Sequence, residues 1–259
     1  MSYYLTLIII LFAYMSSWFV VSLIKKRNDV ADAAWGLGFI LMTWVSYFFS
    51  GDSGARGLLV GVLVSIWGLR LARHIYSRNK GKAEDYRYLA WRKEWGKWFY
   101  LRSYAQVYLL QGMLLFLIVL PVLLINKSAG IALGLLDLLG VGAWLLGFYF
   151  EAVGDAQLAR FIKNPANKGK LMQSGLWAYT RHPNYFGEVV QWWGIWLVAL
   201  SVTDGIFGII GPITITFLIL KVSGIPMLEK KMAENIEFEN YKKRVSMFIP
   251  LPPRNRFYF

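Results

Sequence analysis

Two pairs of side chains set the chemistry this chain could do. Glu151 and Asp155 stand four residues apart in an apolar stretch, which puts both carboxylates on one face of a helix. Asn184 and Glu188 repeat that spacing, and Gln191 with Trp192 continues the stripe. Ionisable groups are costly inside a membrane, so such pairs mark functional positions by default. The structural alternative is an interhelical hydrogen bond or an interfacial cap, because all four residues lie near a membrane end where water is available. Between the pairs, Arg181 and His182 supply cationic or switchable donors, and Pro183 starts a helix by fixing its first dihedral. A helix N-terminus beside Arg181 makes an anion cradle, with Lys163, Lys168, Lys170, Lys230 and Lys231 near it in topology. Carboxylates repel phosphate but accept hydrogen bonds from ribose hydroxyls or an amide. The mixture suits a nucleotide-type ligand; a basic re-entrant loop that binds lipid headgroups is the alternative.

A second group lies earlier in the chain. Trp67, Arg70, Arg73 and His74 share a helix face by their spacing of three and four. Arg70 sits about two turns from Arg78 and needs an anionic partner or ligand, for which Asp32 is the candidate. A purely structural ion pair of Asp32 with Arg70 or Arg73 is an equal reading. Asp137 marks the outer, wetter half of its span and has no assigned role.

These residues must be positioned by membrane-spanning helices. The chain has 259 residues, 57% of them hydrophobic and 17% aromatic, and a mean hydropathy of +0.44, too apolar for an ordinary soluble domain. A bilayer core needs roughly 20 apolar helical residues, and seven stretches qualify: 4–24, 31–50, 57–76, 104–126, 131–160, 185–203 and 205–223. The first lacks the basic region and cleavage site of a signal peptide. The expected architecture is an all-α integral membrane protein of seven transmembrane helices with cytoplasmic amphipathic loops and tail, a single domain over residues 1–259. There are no cysteines and two histidines, which removes thiolate chemistry, disulfides and Cys-ligated metals and leaves little for a His-rich centre. The net charge is +13. All but two of the 28 basic residues, Arg56 and Lys127, lie on one set of loops, helix ends and tail. By the positive-inside rule that side is cytoplasmic, with the N-terminus outside and the C-terminus inside. The charge is therefore assigned to a membrane surface or an anionic ligand, not to nucleic acid. Residues 77–101 read as short interfacial helices, 161–183 as mostly loop, and Glu229 to Arg244 as one charged amphipathic helix ending before Pro250.

The motifs Asp29-Val30-Ala31-Asp32-Ala33-Ala34-Trp35-Gly36, Trp67-Gly68-Leu69-Arg70-Leu71-Ala72-Arg73-His74, Glu84-Asp85-Tyr86-Arg87-Tyr88, Gly175-Leu176-Trp177, Arg181-His182-Pro183-Asn184-Tyr185-Phe186-Gly187-Glu188 and Phe248-Ile249-Pro250-Leu251-Pro252-Pro253 resemble the bacterial branch of the membrane steroid 5-alpha-reductase-like family. The Arg-His-Pro-x-Tyr piece is shared with membrane methyltransferases of isoprenylcysteine and phospholipid type. The resemblance implies a seven-span enzyme of the bacterial inner membrane that binds NADPH from the cytoplasm and reduces a carbon–carbon double bond conjugated to a carbonyl. It implies cofactor contacts from Asn184 and Glu188, from Glu151 and Asp155 (where the family has Asn and Asp), from Arg181, His182 and Tyr185, and from Lys230 and Tyr241 in the tail. A Trp of the family's second span matches Trp35, but the ketone-orienting Glu four residues on is Phe39 here. No Tyr stands at the expected depth of the third span. A proton donor then has to come from Asp32, His74 or Tyr76. Since Asp32 is expected to be ionised and paired, His74 or Tyr76 is preferred. Trp35, Phe39 and Trp192 are expected to wall a pocket for a lipophilic substrate. Membrane lipids are the other expected partners, and no obligate protein partner is indicated. The rival readings are an S-adenosylmethionine-dependent methyltransferase of a lipid or prenylcysteine, for which a paired Glu-Glu in the tail is missing, and a non-enzymatic lipid-binding or transport protein.

Overall fold

A computed structural model describes residues 2–51, 54–128, 132–233 and 235–254. Among them the chain is all helical, with 81% helix and no strands. It divides into two compact units, Met1–Leu135 with Ala199–Gly211, and Leu136–Val198 with Pro212–Phe259.

The first unit begins with α1 (Tyr3–Lys25), capped by the Ser2 hydroxyl, which accepts from the Leu5 N–H. The chain leaves it through Lys26 in the left-handed region (φ 53°), whose N–H returns to the Leu23 carbonyl. Next come α2 (Val30–Ser50) and α3 (Gly54–Asn79). They touch backbone to backbone: a methyl group on Gly36 would lie 2.8 Å from the Gly68 carbonyl oxygen, and one on Gly68 would lie 2.7 Å from that of Gly36. Close crossing through small residues is how helices associate in lipid, where the hydrophobic effect between them is absent. Beyond α3, α4 (Tyr86–Trp95) is capped by Asp85, and α5 (Phe99–Arg102) leads through a π-helical turn, Ser103–Leu109, into α6 (Leu110–Lys127). Residues 77–101 thus contain the expected short helix, but it runs on into the following span, making a 42-residue helical element, Tyr86–Lys127. Phe39 is fully buried between the rings of Trp35 and Trp67, each centroid 5.2 Å away.

The second unit holds α7 (Leu135–Lys163) and α8 (Pro183–Ala199). Gly140, Gly147 and Gly154 recur every seven residues on α7, as Gly187 and Gly194 do on α8. A methyl at Gly147 would sit 2.5 Å from the Gly187 carbonyl oxygen, and one at Gly194 would sit 2.6 Å from that of Gly140. The chain continues through α9 (Ile210–Phe217) and a π-turn, Leu218–Val222, to α10 (Ile225–Met232) and α11 (Ile236–Arg244). The single amphipathic helix expected from Glu229 to Arg244 is therefore two helices. Asn235 caps the second by accepting from the Glu237 N–H at 2.8 Å, and an N-cap requires non-helical backbone.

Among the described residues helices occupy all seven apolar stretches, and six helical elements are long and apolar enough to cross a membrane: Tyr3–Lys25, Val30–Ser50, Gly54–Asn79, Tyr86–Lys127, Leu135–Lys163 and Gly205–Met232. The seventh, α8, has 17 residues, about 25 Å at the α-helical rise, against a hydrocarbon core of roughly 30 Å.

Candidate functional site

The glycine register of α7 and α8 brings the paired acidic and amide residues together. With no side chains between the two backbones, Asp155 and Glu151 meet the first turns of α8. Asn184 Nδ2 donates to Asp155 Oδ1 at 3.1 Å, and Gln191 Nε2 donates to Glu151 Oε2 at 2.5 Å. Glu151, Asp155 and Gln191 are buried, while Asn184 and Glu188 are half-buried one turn apart on the same helix. Gln191 Oε1 is also buried, with no hydrogen-bond partner among the described residues. Trp192 is buried beside it in sequence. Trp177 fixes the loop before α8 by donating from its indole N–H to the Gly154 carbonyl at 3.1 Å, and Gly175 turns there at φ +62° against the Gln157 amide.

The motif before α8 is tied to the tail. Arg181 is 7% exposed; its Nε donates to Glu229 Oε1 at 2.8 Å and its Nη1 to the Val245 carbonyl at 2.7 Å. His182 Nε2 lies 3.1 Å from the same Glu229 oxygen, and its ring stacks on Tyr185 with centroids 5.7 Å apart. The Arg181 N–H donates to the Ser246 carbonyl, the Thr180 hydroxyl to that of Phe248, and the Tyr241 hydroxyl to that of Trp177. Burial pushes the Tyr241 phenol well above its ordinary range, which keeps it a neutral donor. Lys230 is exposed. Arg181, read in the sequence as part of an anion cradle, thus directs its guanidinium to a carboxylate and backbone carbonyls. Glu229, the residue that holds Arg181 and His182, has no assigned role in the sequence reading. It sits next to two lysines, and only the fold places it against a motif nearly fifty residues away.

In the first unit a polar network joins the starts of α2 and α4. Arg87 Nη2 donates to Asp32 Oδ2 at 2.8 Å, the Tyr88 hydroxyl to Asp32 Oδ1 at 2.8 Å, and Arg78 lies 3.7 Å away. This corrects the expected pairing of Asp32 with Arg70 or Arg73. Because α2 and α3 cross at Gly36 and Gly68, Asp32, one turn before Gly36, faces the last turn of α3 and the first of α4, while Arg73 is exposed. Arg87 also holds Asp85 at 3.0 Å, Arg27 holds Asp29 through two bonds of 2.7 Å, and Arg92 holds Glu84 at 3.1 Å. Burial alone would raise the Asp85 carboxyl, but hydrogen bonds from the Arg87 side chain and backbone outweigh it and hold the group below the ordinary carboxylate range. His74 is half-buried and Tyr76 is 63% exposed. Trp35 and Phe39 belong to this unit, Trp192 to the other.

Fold and site define a class: an all-helical protein of several apolar, membrane-length helices with a polar seam between one of them and the shorter α8. Within it, the chain belongs to the family described as protein of unknown function DUF1295, whose model matches residues 18–245. It is similar to uncharacterized protein C594.04c of Schizosaccharomyces pombe, 23% identical over 265 residues that cover 89% of this chain and 74% of that protein. Shorter segments match 3-oxo-5-alpha-steroid 4-dehydrogenase 1. The human protein is 35% identical over 71 residues, 27% of either chain, and the rat protein is 28% identical over 114 residues, 44% of this chain and 40% of its own. No solved structure matches.

Proposed function

We propose that this protein is an NADPH-dependent membrane oxidoreductase that reduces a carbon–carbon double bond conjugated to the carbonyl of a lipophilic, steroid-like or other lipid substrate. The observation that carries the reading is the seam where Asn184 meets Asp155 and Gln191 meets Glu151. Its donor set fits a dinucleotide. Asp155 and Glu188 accept from ribose hydroxyls, and the buried Gln191 Oε1, unpartnered among the described residues, is an acceptor suited to an amide N–H. Exposed Lys163, Lys168, Lys170 and Lys230 in the same unit supply cations for phosphates, a third phosphate included. The chain lacks a Gly-x-Gly-x-x-Gly fingerprint, so a dinucleotide is held by helix faces and the tail. Matching segments in two steroid dehydrogenases favour reduction over methyl transfer.

When bound, NADPH supplies a hydride for the β carbon of the enone. The protein's part is to hold the cofactor in the α7–α8 seam, to keep Arg181, His182 and Tyr185 in place through Glu229 and the tail, and to deliver a proton from His74 or Tyr76. Asp32 is committed to Arg87 and Tyr88, which leaves it a positioning role. The substrate enters from the bilayer without first being dissolved in water. The basic loops face the cytoplasm, with seven spans and the N-terminus outside. The test is NADPH oxidation by the purified protein with a panel of lipophilic enones. Substrate-dependent oxidation that falls at least about tenfold in His74→Ala or Tyr76→Phe supports the reading. NADPH binding with no enone accelerating oxidation contradicts the reaction, and loss of turnover in Asp32→Asn with unchanged binding contradicts the donor assignment.

A further inference from the structure

The carboxylates and cations at the start of α2 and from the end of α3 to α5 are sorted by side. Asp29, Asp32, Glu84 and Asp85 are each bound by an arginine, Arg27, Arg87 or Arg92, on the inward side. The planar guanidinium fork suits such paired, desolvated contacts. The remaining cations are exposed: Lys80, Lys82, Lys93, Lys97 and Arg102 have no ion-pair partner among the described residues, and Glu94 is the one exposed carboxylate in residues 77–102. On α4 the faces separate cleanly. Tyr88, Trp91, Arg92 and Trp95 turn inward, with Trp91 and Trp95 stacked at 5.2 Å. Tyr86, Leu89, Lys93 and, beyond the helix end, Lys97 recur outward at helical spacing. The next residues add exposed aromatics, Trp98 at 54% and Tyr100 at 55%, with the Lys97 ammonium over the Trp98 ring at 5.7 Å. This segment leaves one membrane-length helix and enters another, so it sits at the level of the headgroups. Aromatic rings and long cationic stems fill that layer.

We infer that the outward face of α4 and the turn after it form a binding surface for anionic phospholipid headgroups, with Lys93, Lys97 and Arg102 meeting the phosphates and Trp98 and Tyr100 seated at the acyl boundary. The occupant follows from charge. Apart from the single exposed Glu94, the acidic groups around these cations are held by arginines on the other side; one carboxylate cannot balance Lys80, Lys82, Lys93, Lys97 and Arg102, so the compensating anions come from the membrane. The surface is independent of the reductase reading and stands whether or not NADPH binds.

The test is native mass spectrometry of the full-length, detergent-purified protein titrated with dioleoyl phosphatidylglycerol and, in parallel, dioleoyl phosphatidylcholine. The wild type should bind phosphatidylglycerol with at least about tenfold preference, and high salt should erode that preference. In Lys93→Gln/Lys97→Gln/Arg102→Gln the preference should fall to within about twofold. Lys168→Gln/Lys170→Gln, which removes cations of the second unit, should leave it intact. Among the described residues none of the three substituted side chains makes a hydrogen bond or ion pair, so the variant should retain the wild-type melting temperature; the salt titration on the wild type is a readout that needs no variant. Equal binding of the two lipids, a preference insensitive to salt, a triple variant that keeps it, or displacement of the lipid by soluble glycerol 3-phosphate would each overturn the proposal.

Discussion

At the scale of residues, the spacing of four makes it legible that Glu151 and Asp155 share one helix face and that Asn184 and Glu188 share another. Their partners were only half legible. Asn184 followed from the same spacing, but the pairing of Gln191 with Glu151 needs two helices in register, which no local pattern encodes. Glu229 and the Asp32–Arg87 contact were invisible for a related reason: charge shows that a residue needs a partner, and only topology selects it. Asp155→Ala and Glu188→Ala should each weaken NADPH about tenfold or more with folding preserved, measured by titration calorimetry; unchanged affinity in both would favour a purely structural seam. Asp32→Ala leaves Arg87 without one of its two carboxylates and should cost about 2–3 kcal/mol, read as a lower melting temperature in detergent. The pH dependence has a definite sign at Asp85. A carboxyl held below its ordinary value near about 3.9 stabilises the fold above that pH, and the stabilisation is lost as pH falls through the folded value. Wild-type melting temperature should therefore drop as the buffer is taken below about pH 4, and Asp85→Asn should show a shallower drop.

At the scale of elements, the apolar stretches located the long helices because roughly 20 residues without charge have few alternatives. The boundaries were less legible. Pro183 announced the start of α8 through its fixed dihedral, whereas the continuity of α4 with α6 depends on a π-turn that has no sequence marker. The tail split at Asn235 was masked by the charge pattern that runs through Glu229 to Arg244. The glycines every seven residues on α7 and α8 hold the seam closed. Gly147→Ala would place a methyl 2.5 Å from the Gly187 carbonyl oxygen and should cost about 1–3 kcal/mol. It should also weaken NADPH, since Glu151 and Asp155 follow the contact by one and two turns on the same helix. Gly142→Ala, where an added methyl meets nothing within 4 Å, is the matched control and should leave both stability and binding near wild type.

At the scale of the molecule, the one-sided distribution of lysine and arginine predicts the topology. In this cysteine-free chain, Lys80→Cys, Lys168→Cys and Lys242→Cys should each resist an impermeant thiol reagent in intact cells and react after permeabilisation; labelling of any of them in intact cells would break the proposed orientation. The central claim is that the α7–α8 seam and the tail hold a reduced dinucleotide phosphate. A ligand that binds only the folded protein raises its stability in proportion to the logarithm of its concentration over its dissociation constant. The most direct measurement is the thermal unfolding of the detergent-solubilised protein with NADPH, NADP, NADH and S-adenosylmethionine in parallel. NADPH and NADP should raise the melting temperature in a concentration-dependent way, more than NADH does, and S-adenosylmethionine should leave it unchanged; stabilisation by S-adenosylmethionine with no response to NADPH would contradict the account.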